Sequence, residues 1–105
     1  MRELNIDPEE HGLKILPEYF KLVIEGRKNF EIRKDDRGYE VGDTLHLREW
    51  KKPTGKSREG TYTGRSIKKK IIYIFEGGKP GYGLKEQWVI LGLEMNLDNS
   101  KRLEK

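Results

Sequence analysis

Three side chains with complementary chemistry stand within six residues: Lys28, Glu31 and Arg33, inside the stretch Gly26-Arg27-Lys28-Asn29-Phe30-Glu31-Ile32-Arg33. Glu31 and Arg33 are two apart, so on a strand they share one face at a backbone separation of about 6.6 Å. A guanidinium offers a fork of donors to a phosphate or a base edge. A carboxylate accepts from the exocyclic amines of bases. Lys28 falls at a helix-to-strand corner, where a long side chain can swing over the same space. Held near a carboxylate it can also serve as a base or nucleophile, provided that burial lowers its pKa. The plain alternative is a solvated strand face laced with salt bridges.

Further candidates flank these three. Asp35-Asp36-Arg37 reads either as a turn with local hydrogen bonds or as a way to set Arg37 at the mouth of the same site. Trp50 and Tyr62 bracket a basic connection, and a tryptophan among Arg48, Lys51 and Lys52 suits base stacking or covers a barrel end. Lys68-Lys69-Lys70 is a charge run, with Lys68 and Lys70 as candidate phosphate contacts or simply part of a protected edge strand. The glycine-rich stretch from Gly77 to Gly83 lacks the Gly-Lys-Ser/Thr ending of a phosphate-binding P-loop and reads as a lid or turn, with Tyr82 a stacking candidate. His11 and His46 read as structural or solvated. No nucleophile–histidine–acid pattern is visible, so no catalytic residue is assigned.

These residues need elements to place them. Pro17 to Glu25 has the signature of a short helix: proline at the first position, Glu18 at the positive end of the dipole, and Phe20, Val23 and Ile24 at the spacing of a buried stripe. Gly26 sits where a left-handed residue closes a helix. Residues 30–34 alternate, which sends Phe30 and Ile32 to the core and Glu31 and Arg33 to the opposite face. Gly42-Asp43 makes a tight corner into a strand over 44–50, with Leu45 and Leu47 inward. His11 to Ile15 reads as a strand, 51–65 as a long basic connection with a short strand at 61–63, 67–75 as a strand, and 88–95 as an almost wholly apolar, central strand. One helix and five to six strands without βαβ alternation give a mainly β, mixed α+β fold: a small barrel with the helix capping an open end. Residues 1–10 form a loose lead-in, 11–95 the domain and 96–105 a polar tail.

Composition narrows the classes. At 105 residues the chain is one domain. Charged residues are 38% against 33% hydrophobic, so the core is small. The net charge of +4 fits a nucleic-acid or phosphate partner. The absence of cysteine excludes disulfides and thiol chemistry, and two distant histidines argue against a metal site. No apolar run approaches the roughly 20 residues of a membrane helix. The expectation is a cytoplasmic monomer with no cofactor, no metal and no membrane partner.

The stretch from Gly26 to Arg33 resembles the G-x-K-x-x-E-x-R signature of ASCH domains, a branch of the PUA-like superfamily. Leu13 to Phe20, the strand Phe30-Glu31-Ile32-Arg33-Lys34 and Val41-Gly42-Asp43-Thr44-Leu45 extend the likeness over roughly residues 11–95, toward small stand-alone bacterial and phage ASCH-like proteins. The resemblance implies a PUA-like barrel with a groove between barrel and helix that binds RNA or a nucleotide. Lys28, Glu31 and Arg33 would line it and Gly26 would make the turn. Some small ASCH proteins are amidohydrolases that deacetylate N4-acetylcytidine. This chain keeps their lysine, at Lys28, but carries Glu31 where they carry threonine, and glycine-rich residues 77–83 where they carry a helical segment with a carboxylate. The leading expectation is an RNA- or nucleotide-binding module; the alternative is an amidohydrolase of modified nucleosides.

Overall fold

The computed structural model describes residues 7–95. Residues 1–6 of the expected lead-in and the tail over 96–105 lie outside the described residues, and the lead-in's last residue, Glu10, already belongs to the first strand. The elements run β1 (Glu10–Ile15), α1 (Pro17–Ile24), β2 (Phe30–Lys34), β3 (Thr44–Lys51), β4 (Thr61–Glu76) and β5 (Trp88–Leu93). They form one mixed five-stranded sheet in the order β1-β3-β4-β5-β2. β1 runs parallel to β3, and the other pairs are antiparallel.

β4 organises the sheet. The sequence suggests a short strand and then a separate longer one, but Thr61 to Glu76 is continuous. Up to Lys70 it pairs with β3, and from Ile71 onward with β5. The register shifts between Ile71 and Tyr73, as a bulge does where a strand bends. One strand thus serves two half-sheets and curves them around a common core of Leu13, Ile15, Leu45, Leu47, Ile67, Ile71, Ile74, Val89, Leu91 and Leu93. The two edges of the sheet are β1 and β2, with no ladder between them among the described residues.

α1 packs on β3 and buries Phe20 and Val23, the stripe its spacing predicts. No side chain caps its start; the extended Leu16 supplies its carbonyl to Tyr19 and Phe20 while Pro17 removes one orphan donor. At the far end Gly26 adopts φ 75°, the left-handed conformation a helix stop demands. Its N–H donates to the Val23 carbonyl, and those of Arg27 and Lys28 to the Leu22 carbonyl. This tight exit delivers Lys28 to the start of β2.

β2 corrects the alternation. Phe30 and Ile32, expected inside, are 41% and 48% exposed, whereas Glu31 is only 4% exposed. The register explains the inversion. Glu31 lies opposite Leu91 and Arg33 opposite Val89, and the face of β5 that bears Val89, Leu91 and Leu93 is the buried one. Burying a carboxylate is costly unless it is paired, and Glu31 is paired twice over, as described below. A second correction concerns the lysine run. Lys69 is 2% exposed, between inward-facing Ile67 and Ile71, and its Nζ reaches the Glu94 carbonyl at 3.5 Å. Its aliphatic stem lies in the core while the head finds a polar atom.

Asp43, read as part of a turn, is a buried hub. Its carboxylate accepts the N–H of Glu9 at 3.1 Å and of Glu40 at 3.0 Å, and pairs with His11 Nε2 at 2.8 Å. The His11 ring meets Tyr39 edge-on at 4.9 Å. Gly42, at φ 102°, makes the expected corner, and its N–H donates to the Ile71 carbonyl. The start of β1, the turn before β3 and the middle of β4 are thereby tied together.

Candidate functional site

Between β1 and the start of α1 on one side, and β2 on the other, lies a cavity of about 700 Å³. Its walls take Leu13 to Leu16 and Tyr19 from the first side, and Lys28 and Phe30 to Lys34 from the second. Asp36, Arg37, Tyr39 and Trp88 complete it. Five basic side chains line it, Lys14, Lys28, Arg33, Lys34 and Arg37, against two acidic ones. Phe30, Tyr19, Tyr39 and Trp88 supply aromatic surface.

Glu31 is the centre of its polar wall. Oε2 accepts from Lys28 Nζ, and Oε1 accepts from Arg33 Nε at 3.1 Å and Nη2 at 2.9 Å. Lys28 Nζ also donates to the Phe30 carbonyl at 2.7 Å, and it stands 5.0 Å from the centre of the Phe30 ring and 5.6 Å from that of Tyr19. Those two aromatic faces are a favourable setting for a cation. The shared face expected for Glu31 and Arg33 is therefore real, but it is the inner one, and Lys28 turns onto Glu31 instead of into solvent.

The two arginines also bridge the open side of the sheet. Arg33 Nη2 donates to the Lys14 carbonyl at 2.7 Å, and Arg37 Nη1 to the Gly12 carbonyl at 2.9 Å. Gly12 and Lys14 are two apart, so their carbonyls point to the same edge of β1, away from β3. Arg33 Nη1 has no hydrogen-bond partner among the described residues. Arg37 lines the groove, and the turn that carries it has the local hydrogen bonds of the plainer reading, with Asp35 accepting from the N–H groups of Gly38 and Tyr39. Burial pushes the Tyr39 hydroxyl above its ordinary pKa, partly offset by the nearby positive charge of Arg37 and Arg33.

The remaining candidates are placed elsewhere. Trp50 is half-buried, with Lys14 Nζ 4.7 Å from its ring centre and Gly60 packed so close that a side chain there would strike the indole. Trp50 does not line the groove, whereas Lys14, which stands against its ring, does. Tyr62, opposite Trp50, has the Arg48 guanidinium 3.9 Å over its ring. Lys68 pairs with Glu10 at 3.0 Å, and Lys70 is exposed beside the Glu94 carboxylate, which accepts its N–H. Neither lysine lines the groove. Among the described residues no three His, Asp or Glu side chains gather where they could hold a metal ion.

Several groove residues escape the sequence pattern. Phe30 and Ile32 look like core, Lys14 and Lys34 like solvated strand positions, and Trp88 like the start of a buried strand. Tyr19 carried a signal: it lies off the Phe20-Val23 stripe, and an aromatic on the outer side of a short helix asks for a purpose.

A second charged cluster lies at the end of the sheet covered by α1. Glu49, 3% exposed, accepts from Thr63 Oγ1 at 2.6 Å and from Arg65 Nε and Nη2 at 2.9 and 2.8 Å. Arg65 rests 5.0 Å from the centre of the Phe20 ring. The Arg65 hydrogen bonds hold the Glu49 carboxyl below the usual glutamate range, against the opposing effect of burial. This pair fastens β3, β4 and the helix together; its partners are mutual, which marks it as structural.

Residues 10–93 match a family described as a domain of unknown function (DUF3850). The chain is also 46% identical over 64 residues to the uncharacterized 12.9 kDa protein in the GpA 3′ region of Escherichia phage P2. That alignment covers 61% of this chain and 52% of the phage protein, so the match spans about half the length of the relative.

Proposed function

The chain belongs to the DUF3850 family, and from that premise we propose that it is an RNA- or nucleotide-binding module of the ASCH type, acting as a cytoplasmic monomer through the groove between β1 and β2. One observation carries this reading: a cavity of about 700 Å³ whose buried carboxylate is neutralised from both sides, leaving an excess of cations beside aromatic walls. Ligand pockets run from about 300 to 1,000 Å³ and combine apolar walls with a few convergent polar groups. Phosphate suits Lys28, Arg37 and the unpartnered Nη1 of Arg33, while a base suits Phe30, Tyr19 or Trp88. Glu31 holds Lys28 and Arg33 in place for that ligand. The PUA-like reading of the sheet, a barrel left open at this slot, rests on the signature over 26–33 and on the arginine bridges across the gap.

Labelled single-stranded RNA titrated at 50 and 200 mM salt tests it. With about three phosphates contacted, affinity falls roughly 20-fold between the two, and Lys28→Ala weakens binding at both. No binding, or binding indifferent to salt and to Lys28→Ala, refutes the groove.

A second reading, an amidohydrolase of modified nucleosides such as N4-acetylcytidine, draws on the direct hydrogen bond between a largely covered Lys28 and Glu31. Incubating the same protein with N4-acetylcytidine and following its absorbance decides it; absence of turnover ends that reading for this substrate.

A further inference from the structure

The outward face of the β2–β5–β4 half-sheet carries side chains that the core does not use. Register places them in rows. Phe30 lies opposite Gly92, which lies opposite Tyr73. In the next row Ile32 lies opposite Ile90, which lies opposite Phe75. In the third, Lys34 lies opposite Trp88. Tyr82, from the glycine-rich loop, leans edge-on against Phe75 at 5.1 Å and is 69% exposed. Phe30, Tyr73 and Trp88 are 41%, 47% and 37% exposed. So much contiguous exposed apolar surface on a small domain marks an interaction site.

Three features say what covers it. The face is continuous with the groove, because Phe30, Ile32, Lys34 and Trp88 belong to both. Its apolar content is mostly aromatic rings spread over a sheet, the arrangement on which unpaired bases stack. Gly92 leaves an opening between Phe30 and Tyr73, two strand spacings or about 10 Å apart, with no side chain standing between them. Finally, its border is cationic: Lys28 stands against the Phe30 ring, Lys34 lies in the third row, and Lys79 and Lys85 are exposed on the loop that carries Tyr82, against Glu86. A second copy of this chain would bring the same positive border against itself, whereas a polyanion complements it.

We propose that the outer face of β2–β5–β4 is a stacking platform for single-stranded nucleic acid, receiving the nucleotides that flank the one held in the groove. This rests on the groove being a nucleotide site. The strand's bases lie on Tyr73, Tyr82 and Phe30 while its phosphates run past Lys34 and the loop lysines.

The test compares uridine monophosphate with a labelled uridine hexanucleotide, on the wild type, Tyr73→Ser, Tyr82→Ser and Lys28→Ala, each checked by circular dichroism to be folded at the assay temperature. Tyr73 and Tyr82 lie outside the groove lining, so their variants bind the mononucleotide as the wild type does. They weaken the hexanucleotide by roughly tenfold, and Lys28→Ala weakens both probes. A hexanucleotide bound no better than the mononucleotide, or equally well by Tyr73→Ser, overturns the platform and leaves the groove standing. If neither probe binds, the groove reading falls and the platform with it. A wild-type dimer in sedimentation equilibrium that Tyr73→Ser dissociates, with hexanucleotide binding unaltered, assigns the face to a second copy instead.

Discussion

Arg33 has two tasks in this structure, and replacing it with lysine separates them. Lysine keeps the positive charge and much of the reach, but a single ammonium cannot span Glu31 and the Lys14 carbonyl as the guanidinium does, with contacts of 2.9 and 3.1 Å to one and 2.7 Å to the other. A hydrogen bond to a charged group contributes about 1.5–3 kcal/mol when buried. The Arg33 side chain is 27% exposed, so water replaces part of what is lost, and the low end applies: about 1–2 kcal/mol for the substitution. For a domain of about 100 residues this is a fall in Tm of roughly 5–10 °C. Circular dichroism melts of the wild type and Arg33→Lys measure it, with Arg27→Lys as control, since Arg27 is 73% exposed and makes only a 3.6 Å pair with Glu25. Surface pairs of that kind contribute under about 1 kcal/mol. An Arg33→Lys melt within a degree of the wild type refutes the bridge between β2 and β1.

Two further outcomes follow from the buried charges. Because the Arg65 hydrogen bonds depress the Glu49 carboxyl, that group stabilises the fold above the unfolded glutamate value of about 4.3, and the contribution is lost as pH falls through the lower folded value. Urea unfolding followed from pH 6 to pH 3 shows a shallower loss of stability in Arg65→Met than in the wild type; parallel curves would remove Arg65 as the cause. Asp43→Ala leaves the Glu9 and Glu40 N–H groups and His11 without their common acceptor, which costs about 3 kcal/mol or more and lowers Tm by more than 10 °C, whereas a melt unchanged by the substitution would show that water serves them equally well.

The helix and its exit were legible because their signals are local: Pro17, the Phe20-Val23 stripe and Gly26 each act within a few residues. The corner at Gly42 was legible for the same reason. The orientation of β2 was not. Alternation reports that Phe30 and Ile32 share one face and Glu31 and Arg33 the other, but which face is inside is decided by the register with β5, a partner some sixty residues away in the sequence. The usual rule of apolar inward assumes that the charges lack partners, and here Lys28 and Arg33 supply them. Lys69 escaped by the same route, since a run of three lysines looks uniformly solvated until alternation on β4 turns the middle one inward. The cluster of Lys28, Glu31 and Arg33 was visible as residue types and spacing. Its context was not: the carbonyls of Gly12 and Lys14, which fix the arginines, carry no side-chain signature at all. The His11–Asp43 pair likewise joins positions 32 apart that neither local pattern connects.

A sheet that is not closed exposes two strand edges, and bare edges recruit other strands into aggregates. The arginines on β2 and in the turn after it address this hazard at the groove itself. The outward carbonyls of Gly12 and Lys14 are already engaged by guanidinium groups, so a foreign strand approaching β1 meets occupied acceptors and positive charge. The protein can thus keep a permanent opening in its sheet without offering it as a template for polymerisation.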